Sequence, residues 1–91
     1  MGVRILCRLE SEAVDRVVYS IEIRASEVLR GSAAVSRETG EVAFGPWSPA
    51  EPPAETTTLA RAFLRAAWSS TRKKDPEPWP RKLDRWRPEL G

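Results

Sequence analysis

The sequence predicts an α+β domain: a four-stranded antiparallel meander, one packed helix, and a basic tail rich in proline and tryptophan. Three observations carry this. Residues 3–9 and 16–25 alternate apolar and polar side chains with period two, as half-buried strands do. Residues 57–73 instead repeat their apolar positions at helical spacing. Between these two regimes stand Pro46, Pro49, Pro52 and Pro53, which neither a central strand nor a helix interior accommodates.

In the first strand Val3, Ile5, Cys7 and Leu9 oppose Arg4, Leu6 and Arg8, and an acidic turn follows. The second sets Val17, Tyr19, Ile21 and Ile23 against Val18, Ser20, Glu22 and Arg24; its β-branched residues make it the clearest strand in the chain. A third is expected over 28–37 with Leu29, Gly31, Ala33 and Val35 inward, the alternative for its start being a helical turn from Ser26 to Arg30. Gly31 within a strand signals a bulge or a close backbone contact. Residues 37–41 read as a hairpin loop with Gly40 at positive φ and Arg37 paired with Glu41 across it. The fourth strand, 41–45, returns Val42 and Phe44 to the core.

An extended crossing over 45–55 then leads to the helix, capped by Thr56 or Thr57, with Glu55 at its positive end. Leu59, Ala60, Phe63, Leu64 and Ala67 form its inner face, Arg61, Arg65 and Arg72 the outer ridge, and Trp68 the boundary. Asp75-Pro76 stops it. Pro80 suits the first turn of a short second helix, with Leu83 and Trp86 on one side. Residues 1–74 are thus expected to form one domain, and 75–91 a tail that packs on it or on a partner.

Ninety-one residues bury about 60–65% of their unfolded surface, so the core must be efficient or shared with a second copy. The net charge is +2 but uneven: residues 1–70 hold eight Lys+Arg against nine Asp+Glu, and residues 71–91 seven against four. Twelve arginines against three lysines, with abundant alanine and proline, fit a GC-rich bacterial genome. The lack of histidine removes the commonest general base; with one cysteine, it also excludes Cys/His zinc sites and an intramolecular disulfide.

Cys7, on the apolar side of a strand, reads as a small buried hydrophobe rather than a nucleophile. Glu10, Glu12 and Asp15 lack calcium-loop spacing, and Gly31 and Gly40 lack phosphate-loop spacing. The charged N-terminus has no signal-peptide pattern, Leu6 departs from the myristoylation pattern, and no run reaches membrane-spanning length. The expectation is a cytoplasmic protein without membrane association.

These exclusions leave a non-catalytic binding module with no cofactor and no metal. The leading expectation is protein interaction or assembly, as a homodimer or with an unidentified protein; the alternative is single-stranded nucleic acid. The candidate contact residues are Arg61, Arg65, Trp68, Arg72, Lys73, Lys74, Trp79, Arg81, Lys82, Arg85, Trp86 and Arg87. Their cations would meet phosphates, and Trp79 and Trp86 would stack on bases. The preferred reading of the tail is a strap, with Trp79 and Trp86 packing on Trp68 or the outer sheet and stiff prolines lowering the entropic cost. A third reading offers the run around Pro46–Pro53 to an aromatic groove.

Overall fold

In the computed structural model, which describes residues 2–73, 75 and 78–87 (Arg87 by its backbone alone), the period-two stretches form the strands expected of them. These are β1 (Val3–Glu12), β2 (Arg16–Arg24), β3 (Val28–Ser36) and β4 (Val42–Phe44), followed by helix α1 (Ala54–Thr71). A fifth strand, β5 (Lys82–Arg87), closes the described chain. The sheet order is β4-β3-β2-β1-β5, antiparallel throughout. The α+β meander-plus-helix architecture therefore holds, with five strands among the described residues where the sequence predicts four.

The register puts Ile5 opposite Ile23, Cys7 opposite Ile21 and Leu9 opposite Tyr19, so the apolar halves of the alternation share one face. Leu29, Ala33 and Val35 extend that face across β3, and Val42 across β4. Helix α1 covers it with Thr56, Ala60, Leu64 and Ala67, all buried. The other face of the sheet has no covering element among the described residues.

Gly31 makes no bulge. The ring of Trp47 lies where its side chain would project: a Cβ there would stand 2.5 Å from Trp47 Cε3. The connection after β4 thus folds back over the sheet, Trp47 packs on Phe44 at 5.7 Å, and Ser48 pairs with Arg30 through two backbone hydrogen bonds. That bridge covers the part of the β3 edge that three-residue β4 leaves open.

Three local expectations need correction. Helix α1 begins at Ala54 behind Pro53, not at a threonine cap. The missing proline N–H costs nothing at a helix start, where the first donors have no partners in the helix anyway. The Pro53 carbonyl accepts from the amides of Thr56 and Thr57, and the Thr57 hydroxyl donates to the Ala54 carbonyl. Arg37 pairs with Glu12, at 3.3 Å, rather than with Glu41.

The third correction concerns residues 82–87, which form a strand rather than a short helix and pair with β1 from Val3↔Arg87 to Arg8↔Lys82. Successive side chains of a strand point to opposite faces, so Leu83 and Trp86 do not share a side. Leu83 joins the core, while Trp86 is 63% exposed on the uncovered face. The cause lies in β1. As an end strand it would leave a long row of unpaired amides and carbonyls, which β5 satisfies.

Candidate functional site

The residues predicted to act together are separated by the fold. Trp79 is buried, its ring tilted against Tyr19 at 6.4 Å. The Tyr19 hydroxyl donates to the Pro80 carbonyl at 2.7 Å, and the Leu9 amide to the Arg81 carbonyl at 2.8 Å. Burial raises the Tyr19 pKa, so the phenol remains a neutral donor. Residues 79–81 are therefore built into the domain.

Two of the three ridge arginines, Arg61 and Arg72, are engaged locally. Arg61 lies over Phe44 at 5.2 Å. Arg72 lies over Trp68 at the same distance and donates to the Arg37 carbonyl, which also accepts from Trp68 Nε1 at 2.9 Å. Arg65 and Lys73 are exposed on the helix layer. Arg85 turns to the helix side, over Phe63 at 5.9 Å. Lys74 and the Arg87 side chain lie outside the described residues. Lys82 and Trp86 alone among the described candidates stand on the opposite, uncovered face.

There they join residues the site prediction left out. Rows of cross-strand neighbours run Trp86–Arg4–Arg24–Val28, then Asp84–Leu6–Glu22–Arg30, then Lys82–Arg8–Ser20–Ser32. Neighbouring strands lie about 4.8 Å apart, so each row is a line of closely spaced side chains. This half of the face holds five cations and two carboxylates, an excess of three positive charges among the described residues. Arg4 grips Asp84 through two hydrogen bonds, 2.9 and 2.6 Å. Glu22 receives Arg24 at 2.8 Å and Arg30 at 3.2 Å. Leu6, beneath them, is only 7% exposed although it points to the uncovered face. A depression of about 260 Å³ opens beside it, walled by Arg8, Glu22, Arg24 and Arg30 and floored by Ser20.

The charges within the face are matched but not balanced. Arg4, hydrogen-bonded to Asp84, holds that carboxyl below the usual carboxylate range. Desolvation at the face opposes the charge on Glu22, but Arg24 and Arg30 outweigh it, and its pKa is also lowered. Both carboxylates are thus ionised at neutral pH. Among the described residues, Arg8 and Lys82 have no carboxylate within ion-pair distance, although Lys82 also helps hold the Asp84 carboxyl down.

Cys7 is fully buried, and burial pushes its thiol up to about 12, so no thiolate forms near neutrality. No group of three or more metal-ligating side chains occurs among the described residues, and no helix there is long and apolar enough to cross a membrane. No family model matches this chain, and no curated protein or solved structure is significantly similar to it. Its chemistry must be read from its own surface.

Arg4, Arg8 and Arg24 were visible in the sequence as the polar half of the alternation. What could not be seen was that β5 adds Lys82 and Trp86 to them, because that requires pairing strands about eighty residues apart.

Proposed function

We propose that this protein is a small non-catalytic binding module whose working surface is the uncovered sheet face, and that its partner there is anionic. One observation carries the reading: five cations and an exposed tryptophan, opposed by two carboxylates, on a face that no described element covers. A positive excess of this kind attracts polyanions and raises their encounter rate. The cytoplasm is the proposed compartment, since a lone cysteine leaves no disulfide to protect within the chain.

Retention on heparin tests the charge reading without assuming a ligand. The intact protein should bind at low salt and elute as salt rises. The Arg8→Glu/Lys82→Glu double variant should pass through, because it removes four charge units from the face. The paired Glu22→Gln/Asp84→Asn variant should elute later, because it raises the excess from three charges to five. Lowering the pH acts in the same direction: the lowered pKa values keep both carboxylates charged until well into acid, and retention should strengthen as they protonate. Their stabilising ion pairs are present at neutral pH and lost over that same fall. If the intact protein is not retained at low salt, the anionic-partner reading is wrong.

A second reading concerns self-association. The Leu9–Arg81 hydrogen bond sets the alternation along β5, so the backbone groups of Lys82, Asp84 and Trp86 point away from β1 at the sheet edge. A second copy pairing along this edge would give the homodimer. Sedimentation velocity over a range of concentrations should then show a dimer that Trp86→Pro, which removes an outward donor, weakens. A monomer at all concentrations would remove this reading and leave the first untouched.

A further inference from the structure

Resting on the anionic-partner reading, we propose that the partner is a single-stranded nucleic acid lying across the uncovered face, with a base stacked on Trp86 and phosphates held by Arg8, Lys82, Arg24 and Arg30. Three observations select it over an acidic protein or a duplex.

The face lacks what a protein partner would need. Protein interfaces centre on a desolvated apolar cluster ringed by polar groups. Here the central apolar residue, Leu6, is already buried beneath arginines. Val14 stands at a hairpin tip, and Val28 and Trp86, the other exposed large apolar residues among those described, stand at opposite ends of one cross-strand row with Arg4 and Arg24 between them. A single indole beside cations gives poor anchorage for a protein core but offers what a base and its phosphates require.

The shape disfavours a duplex read through its grooves. Five strands at 4.8 Å spacing make a slab roughly 20 Å wide, against a major groove of about 12 Å. Helix α1, the element that could enter a groove, is on the far side of the sheet. Unpaired bases, in contrast, can splay onto a flat sheet.

Trp86 is also held ready. It pairs across strands with Arg4, and Arg4 is fixed by its two hydrogen bonds to Asp84, one of the residues flanking Trp86 on the same side of β5. The indole therefore stands on a paired strand beside an immobilised guanidinium rather than on a free tail. A base stacking on it meets an ordered surface, which lowers the ordering cost of binding.

The test uses the full chain and a fluorescein-labelled oligothymidylate of about twelve nucleotides, followed by anisotropy at about 50 and about 200 mM salt. Saturable binding that weakens with salt is expected. Trp86→Ala should weaken it about tenfold to a hundredfold with the salt slope unchanged, and Trp86→Phe should restore most of it. Arg8→Gln and Lys82→Gln should each lower the salt slope by about 0.7, the single-strand value per phosphate contact. Circular dichroism melting of each variant checks that it is folded.

Two competitors separate the failures. Poly-glutamate displacing the oligonucleotide at equal charge concentration, or a duplex binding as tightly, would overturn the single-strand proposal while leaving the anionic-partner reading standing. An unchanged affinity for Trp86→Ala would overturn it as well. Failure of oligothymidylate, duplex and poly-glutamate all to bind would overturn both.

Discussion

Replacing Trp79 with alanine should lower stability by about 3–5 kcal/mol, while the same change at Trp86 should stay within about 0.5 kcal/mol. The two tryptophans lie seven residues apart, and composition does not distinguish them. Trp79 is 8% exposed and packs on Tyr19, whose hydroxyl is tied to the next residue's carbonyl. Truncating it opens a cavity that fixed neighbours cannot fill and loosens the turn that delivers β5 to the sheet. Trp86 is mostly exposed, so its removal uncovers little. A domain of this size is stable by only about 5–15 kcal/mol in total, so the Trp79 variant loses a large share. Urea unfolding followed by far-ultraviolet circular dichroism measures both. Similar losses for the two variants would mean that the end of the chain is not organised as described.

Gly40→Ala should cost about 2–5 kcal/mol, from two sources. The φ of 74° lies in the left-handed region, where a Cβ costs about 1–2 kcal/mol. The added methyl would also stand 2.5 Å from the ring of Trp68, an overpacking worth about 1–3 kcal/mol. Trp68 cannot easily yield, because its Nε1 donates to the Arg37 carbonyl and Arg72 lies over its ring. Gly40→Asn separates the two terms. Asparagine tolerates left-handed backbone but carries the same Cβ, so it should recover the backbone part alone. Alanine within about 0.5 kcal/mol of the parent would show that the β3–β4 turn is free to rearrange.

How far the sequence could be read depended on the range of the interactions. Period-two alternation in β1 and β2 is local, and it located both strands and their buried faces. Gly40 was legible as a turn residue for the same reason. Gly31 was legible as a point of close approach, but its neighbour was not, since Trp47 is sixteen residues further on and returns over the sheet only through the Ser48–Arg30 bridge. The start of α1 was misplaced because a threonine cap and a proline start are both good local solutions, and the chain uses the proline.

The end of the chain shows the limit most clearly. Leu83 and Trp86 fit one helical side at i, i+3, and Pro80 fits a first turn. Six residues with two large apolar side chains fit a strand equally well. Only the vacant edge of β1 decides between them.

The sequence by itself determined the class of this protein: an antiparallel meander with one covering helix, an apolar inner face, no histidine and no disulfide within the chain. These follow from composition and from periods of two and 3.6, which each segment carries within itself. The tertiary structure alone decided that the last segment is a fifth strand, that Trp79 is core while Trp86 is surface, and that Lys82 and Trp86 join Arg4, Arg8, Arg24 and Arg30 on the sheet face opposite the helix. Those outcomes depend on pairing β1 with β5, and no local pattern encodes which distant edge a short strand will satisfy.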